Sequence, residues 1–274
     1  MKISVTSFVY FNYSLEEAIR RITQAGYDGI DIWGGRPHAY RHDLPSDEID
    51  QLRSLLVNLN LAVPSFIPAQ FRYPSCLCSP NETIRQDSVK YIQAGIETAS
   101  ALNIPIVSVC PGHSLFGQGA DDAWGRLSES VSTICEYAAS YDVRIALEPA
   151  DRYETDIMNT TADAMRMIDE LGYASLGILL DTGHNHVVGE SAIEAVHTIG
   201  DRLFHVHVDD NNGLRDEHLI PGDGSFDFEG FINALKEVGY DGFLSAELSW
   251  DYTIDPDSAV QLTAQRLHQL LKAT

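Results

Sequence analysis

The stretch "LFHVHVDDNN", residues 203–212, places His205 and His207 two apart in a run otherwise made of Leu203, Phe204, Val206 and Val208. Such a run reads as a buried strand. Side chains two apart in a strand share a face, so both imidazoles point the same way, into an interior that accepts polar groups. The residues on either side show what that interior is.

Working outward, the same rhythm covers the chain. Short β-branched runs are each followed by a helical pattern: "ISVTSF" then "SLEEAIRRITQAG", "GIDIW" then "SDEIDQLRSLLVNLN", "AVPSFIP" then "NETIRQDSVKYIQAGIETASAL", and "IPIVSVCP" then "DDAWGRLSESVSTICEYAAS". The second half continues with "VRIALEP" and "TADAMRMIDELG", "LGILLD" and "SAIEAVHTIG", "LFHVHVDD" and "DFEGFINALKEVG", and "GFLSAEL" and "DPDSAVQLTAQRLHQLLKA". Many helical patterns open on Ser, Asp, Asn or Thr, as N-caps do, and two end in Gly-Tyr-Asp-Gly, a helix stop feeding the next strand. Eight alternating units without a linker-like break predict an α/β chain closed into a single (β/α)8 TIM barrel, one domain over residues 1–274. In such barrels the loops after the strands build the site. Here the long ones are "GGRPHAYRHDLP", "AQFRYPSCLCS", "GHSLFGQGA", "ADRYETDIMNT" and "NNGLRDEHLIPGDGS", all of them post-strand loops.

Composition narrows the partners. The chain is 44% hydrophobic, ample for a core, and no apolar run approaches the roughly 18 residues a membrane helix needs. Forty acidic against 18 basic residues give a net charge of -22, which repels polyanions and argues against nucleic acid and phosphorylated substrates. The opening "MKISVTSFVYFNYS" has no secretion-signal pattern, so the cytoplasm is the default expectation. Cys76, Cys78, Cys110 and Cys135 include one C-x-C pair and no C-x-x-C, which argues against a structural zinc site.

Polar residues collect at the carboxyl ends of the last four strands: Glu148 in "RIALEP", Asp181 in "LGILLD", His207 in "FHVHVD" and Glu247 in "FLSAEL". Counting in twos pairs each with an inner residue one layer below: Ala146, Leu179, His205 and Ser245. Alone, the Glu residues would read as caps or salt-bridge partners and Asp181, before Thr-Gly, as an N-cap or turn former. Four in matching register on one rim point instead to a divalent cation, which removes the repulsion between three carboxylates. Oxygen-rich ligation with one nitrogen suits Mn²⁺ best, with Mg²⁺, Co²⁺ or Zn²⁺ also compatible. His205, one layer deeper, suits a supporting hydrogen bond rather than ligation.

These residues resemble the xylose isomerase-like TIM-barrel superfamily of sugar isomerases and epimerases, along the whole chain. "LEP" at 147–149, "LDTGH" at 180–184, "HVHVDD" at 205–210 and "SAEL" at 245–248 are similar to that family's four metal-ligand strands, in order. "GYDGIDIWGGRPHA", "WGRLSESVSTICEYA" and "EHLIPGDG" are similar to the fructoselysine 3-epimerase branch, whereas "DTGH" looks more like the D-tagatose and D-psicose 3-epimerases. The resemblance implies 3-epimerisation of a non-phosphorylated ketose or fructosamine, with one bound divalent metal and a sugar as partner. It implies that Glu148 and Glu247 are metal ligands and also the acid/base pair on opposite faces of the ketose, one removing the C3 proton and the other returning it. A cation bridging carbonyl and hydroxyl oxygens would stabilise the enediolate between those steps. It further implies substrate contacts for Glu154 and His184. The family's substrate arginine falls on Gly213, with Arg215 nearby as its replacement, and related barrels form dimers or tetramers.

Trp33 and Phe8, at the ends of the first two strands, are candidates for an apolar wall against the sugar. His38 reads as a loop residue. The same superfamily includes endonuclease IV, a metal-dependent nuclease of abasic DNA, and His113, His184, Asp216 and His218 resemble part of its larger ligand set; His113 and His218 are taken here as substrate contacts. Against the nuclease, the third strand ends in "SFIPAQF" with no histidine, and the charge opposes DNA. Aldose/ketose isomerisation and inosose dehydration would use the same proton abstraction. A non-catalytic sugar-binding subunit would have lost Glu148 or Glu247, and both are present.

Overall fold

The computed structural model describes residues 1–70 and 75–274. The eight strands are β1 (Lys2–Thr6), β2 (Gly29–Trp33), β3 (Phe66–Ile67), β4 (Ile106–Val109), β5 (Arg144–Leu147), β6 (Leu176–Asp181), β7 (Leu203–Val208) and β8 (Phe243–Ala246). They are parallel, each hydrogen-bonded to the next, and β8 closes on β1, so the sheet is the barrel expected from the alternation. The helices are α1 (Leu15–Gln24), α2 (Ser46–Leu59), α3 (Glu82–Ala101), α4 (Ala120–Ala138), α5 (Thr161–Leu171), α6 (Thr182–Val188), α7 (Ala192–Ile199), α8 (Phe228–Glu237) and α9 (Pro256–Ala273). None of them is long and apolar enough to cross a membrane.

Strand alternation divides the barrel chemically. Outward-facing Ile3, Val5, Ile30, Ile32, Val107, Ile145, Leu147, Ile178, Leu180 and Val206 are buried in one apolar cluster shared with the helices. Each such side chain contributes about 1.5–3 kcal/mol on burial, so the layer between sheet and helices is the main source of stability. Inward-facing positions are therefore free to be small or polar: Ser4, Thr6, Asp31, Ser108, His205, His207 and Ser245 are all buried. A separate small cluster of Ile106, Ala146 and Leu179, with Phe204 against it, fills the lower interior. The register shift between Ile178 and Leu179, where β6 meets β7, accompanies that plug.

Caps follow the sequence at most helix starts. Ser14, Asn81, Thr160, Ser191, Asp227 and Asp255 each accept from a backbone N–H in the first turn. At α2 and α4 the cap positions fall on Pro45 and Gly119, which provide no side-chain acceptor. The two Gly-Tyr-Asp-Gly stops behave as expected, with Gly26 and Gly239 at positive φ after α1 and α8. Two features differ from the sequence expectation. The third strand is only two residues long, because Pro64 and Pro68 flank it and remove ladder donors. A further helix, α6, starts directly after β6, because Asp181 caps it. The long loop after β3 includes residues 71–74, which lie outside the described residues.

Gly125 sits in α4, exposed, where an added Cβ would meet nothing within 4 Å. Gly125→Ala is expected to stabilise the fold by about 0.5–1 kcal/mol through helix propensity alone, raising the thermal midpoint by about 2 °C. A lowered midpoint in a melting experiment would contradict this reading of the α4 surface.

Candidate metal centre and active site

Parallel pairing sets Asp181 level with His207, and His207 level with Ser245, so the ends of β6, β7 and β8 reach one height. The ladder runs one residue past β5 and β8: Glu148 N–H donates to Val109 O at 3.1 Å and Glu247 N–H to Val208 O at 3.2 Å. The four side chains expected from sequence therefore meet. His207 Nδ1 lies 2.8 Å from Glu247 Oε2, 3.4 Å from Glu148 Oε1 and 3.7 Å from Asp181 Oδ2. The four offer one ligand-type atom each, all within 4.8 Å of one another. Asp181 Oδ2 and His207 Nδ1 are buried with no hydrogen-bond partner among the described residues, and both face that shared space. A hard divalent cation fits there, since oxygen and nitrogen ligands about 2 Å from it would stand roughly 3 Å or more apart.

Asp181 has one oxygen available for each of the roles its sequence context allowed. Its Oδ1 accepts from the N–H groups of Gly183 at 2.7 Å and His184 at 3.0 Å, capping α6. Its Oδ2 is left for the centre. One oxygen fixes the carboxylate's orientation and the other is presented.

Below the ring, His205 Nε2 is 2.6 Å from Asp31 Oδ2, the supporting contact expected for the deeper histidine. That same oxygen accepts from Ser65 Oγ at 2.9 Å and faces His207 Nε2 at 3.3 Å. Asp31 was not singled out from sequence. The available signal was an acid in a strand, "GIDIW", at an inward position.

A second polar cluster adjoins the first. His184 Nδ1 faces Asp216 at 3.0 Å and Asp151 at 3.4 Å, while His218 faces Asp209 at 2.5 Å and Asp216 at 3.2 Å. Gly183 makes this approach possible, because a Cβ there would collide with the Asp209 and Asp216 carboxylates. The loop carrying His218 is strapped to the end of β7 by paired backbone bonds between Asp210 and Leu219. The Asp210 carboxylate strengthens the strap by accepting from the N–H groups of Gly222, Gly224 and Phe226. Asp151 and Asp209 were missed from sequence, although Asp209 has the same parity as His205 and His207.

Burial and neighbouring charge pull against each other across the site. Burial alone would depress His207, but Glu247, Asp31 and Glu148 outweigh it and hold the imidazole well above its usual range. Burial, reinforced by Asp216 and Glu247, pushes the Asp181 carboxyl up to about 6. Burial opposes ionisation of Glu247 too, but His207 pulls its carboxyl below the ordinary range. Burial is outweighed again at His184 and His218, where Asp216 heads the neighbours that raise both imidazoles. Glu154 is raised, chiefly by burial.

The site opens through two adjoining spaces. An inner chamber of about 50 Å³ is lined by Glu148, Glu154, His184, His218 and Glu247 on one side and Phe8, Trp33, Ile67 and Gln70 on the other. An outer groove of about 490 Å³ shares Phe8, Glu154, His218 and Glu247 and adds Arg215, Asp216, Glu217, Trp250 and Asp251. Phe8 and Trp33 pack edge to face at 5.1 Å, and Trp250, unremarked in the sequence, joins Phe8 at 4.7 Å. Arg215 lines the outer groove, not the inner chamber. His113 lines neither; its carbonyl accepts from the thiols of Cys76 and Cys78. His38 is a buried brace, with Nδ1 2.9 Å from Ser7 Oγ, and burial pushes it down to about 4. Cys110, beside the chamber, donates its S–H to Glu148 Oε2 at 3.2 Å.

A cation must displace the proton on His207 and find Asp181 ionised, so its affinity is linked to pH. With the Asp181 carboxyl titrating near 6, protons compete below that pH, and binding is expected to weaken as pH falls from 7.5 to 5.5. The slope is up to about tenfold per pH unit for each proton displaced. Calorimetric Mn²⁺ titrations at several pH values check this; affinity that is flat, or rises toward pH 5.5, would contradict it.

Comparison with known proteins is consistent with this geometry. The profile of the family described as "Xylose isomerase-like TIM barrel" matches residues 19–270. The chain is 28% identical over 271 residues to fructoselysine 3-epimerase of Shigella flexneri, covering 99% of this chain and 98% of that protein. It is 26% identical over 241 residues to L-ribulose 3-epimerase of Methylomonas sp. (strain DH-1), covering 88% of this chain and 80% of that one. Among solved structures, a D-tagatose 3-epimerase-like protein superposes with a TM-score of 0.85 at 26% identity, covering 100% of this chain and 98% of its own. A match over this much of the chain, on a barrel with a polar rim of the expected kind, places the protein in the xylose isomerase-like TIM-barrel family.

Proposed function

We propose that this protein is a divalent-metal-dependent sugar epimerase that inverts C3 of a non-phosphorylated ketose or fructosamine, with Glu148 and Glu247 as its acid/base pair. The observation that carries the reading is the placement of those two carboxylates. They end β5 and β8, three strands apart around the ring of eight, and both line the inner chamber while each directs one oxygen toward His207 Nδ1. Two carboxylates that end strands three apart and converge on one point can reach a bound carbon from different directions, so one can take a proton and the other return one.

Glu148, Asp181, His207 and Glu247 would hold the metal, for which Mn²⁺ is the choice that best suits three carboxylates and one imidazole. When bound, the cation would supply Lewis-acid stabilisation of charge on the substrate's oxygens. The chain's own groups account for the rest. Cys110 orients Glu148 through its remaining oxygen. His184 and His218, held by Asp151, Asp209 and Asp216, would present ring edges toward sugar hydroxyls, with Glu154 as a further polar contact. Phe8 and Trp33 would exclude water on the opposite wall. Arg215 would reach the distal end of the substrate from the outer groove.

The groove also supports the unphosphorylated substrate class. Glu154, Asp216, Glu217, Glu247 and Asp251 line it against Arg215 and His218, a predominantly negative field that disfavours phosphate. The same field disfavours a nucleic-acid backbone, as the net charge of -22 does.

Incubation with Mn²⁺ and a panel of ketoses and fructosamines in D₂O, followed by NMR, tests the proposal. Deuterium is expected at C3 of both epimers. Glu247→Gln is expected to lose turnover by about a hundredfold or more, as for a removed acid/base group, and to weaken metal binding less than His207→Ala does. Exchange at C1 or C2 would indicate isomerisation instead. Absence of exchange on every sugar, together with cleavage of abasic DNA, would replace the proposal with the nuclease reading.

A further inference from the structure

We infer that Asp31 is a positioning residue that fixes which nitrogen of His207 faces the metal centre. The inference rests on the metal-centre reading above and adds a residue outside the ligand set. A neutral imidazole has one protonated and one free nitrogen, and only the free one can ligate. His207 Nδ1 looks into the space bounded by Glu148, Asp181 and Glu247. The proton must therefore sit on Nε2, where the facing group is Asp31 Oδ2 at 3.3 Å.

Asp31 is built for that task. It is fully buried on β2 and does not line the chamber, so it contacts no substrate. Its Oδ2 is pinned from two directions, by Ser65 Oγ at 2.9 Å and by His205 Nε2 at 2.6 Å. Burial opposes an anion here, and a buried carboxylate without partners would cost several kcal/mol. His205 and Ser65 supply hydrogen-bonded partners, and His207 Nε2 adds a contact at ion-pair distance, 3.3 Å. In return, a fixed negative charge behind His207 holds the ring in one orientation and raises the basicity of the nitrogen turned toward the centre. His205 thus supports the centre indirectly: it anchors the carboxylate that orients His207.

A carboxylate that merely ties β2 to β7 would affect stability and leave metal affinity alone. The two roles separate in Mn²⁺ calorimetry of the full chain, wild type against Asp31→Asn and Ser65→Ala, alongside thermal melting of each protein without metal. Asp31→Asn, isosteric but uncharged, is expected to bind Mn²⁺ about 10–100-fold more weakly. Ser65→Ala, which removes only one of the donors to Asp31, is expected to weaken binding in the same direction by less. If Asp31→Asn does not fold, Ser65→Ala and the wild type decide: a long-range ¹⁵N–¹H spectrum of the zinc-loaded wild type is expected to show His207 protonated on Nε2. A folded Asp31→Asn with unchanged affinity, Ser65→Ala with unchanged affinity where Asp31→Asn does not fold, or His207 protonated on Nδ1, would overturn the inference. A folded wild type that binds no Mn²⁺ would overturn the metal-centre reading instead.

Discussion

Three carboxylates and one imidazole meet in one space, where one ligand-type atom from each lies within 4.8 Å of the other three. At an effective dielectric near 20, two like charges about 4 Å apart repel by about 4 kcal/mol, so this arrangement is not tolerable as three bare anions. The raised His207 imidazole offsets part of that repulsion, burial and the neighbouring carboxylates push Asp181 up to about 6, and a divalent cation would relieve the rest. The remaining features of the site follow from that constraint. Asp181 gives one oxygen to the start of α6 and keeps the other for the centre, Cys110 holds the far oxygen of Glu148, and Asp31 stands behind His207.

The fold can carry so much charge because its stability lies elsewhere. Apolar side chains of the outward strand positions pack under the helices, which leaves the interior free of that duty. Polarity then rises along the barrel axis. Ile106, Ala146 and Leu179 fill the lower interior, Asp31 and His205 pair above them, and the cluster of Glu148, Asp181, His207 and Glu247 closes the top. Each layer satisfies the one above: apolar packing excludes water from the Asp31 pair, and that pair orients the ligand histidine. Around the rim, the strap between Asp210 and Leu219 brings His218 back over the chamber, so a long loop acts as a fixed wall.

The barrel was legible because strand and helix periodicities alternate without interruption, and the cluster of Glu148, Asp181, His207 and Glu247 was legible because its members end consecutive strands in matching parity. His205 was assigned one layer down by the same counting, and the structure gives it a buried carboxylate partner. What escaped was partnership at long range. Asp31 lies 174 positions from His205, and only closure of the barrel brings β2 across from β7. Asp151 and Asp216 likewise acquire meaning from His184, which reaches them from another strand's loop. Asp181 shows a different limit: cap and ligand readings compete in a sequence, whereas a carboxylate with two oxygens can be both. Trp250, half exposed at 51%, follows a short strand in a region with no periodic signal, and its place in the aromatic wall depends on Phe8 and Phe11 from the opposite end of the chain.

Anomalous diffraction from crystals soaked in Mn²⁺ would locate the cation and its ligands. A manganese peak is expected at the carboxyl ends of β5 to β8, ligated by Glu148, Asp181, Glu247 and the Nδ1 atom of His207. A peak on other residues, ligation through Nε2 of His207, or no peak at saturating Mn²⁺ would contradict this assignment.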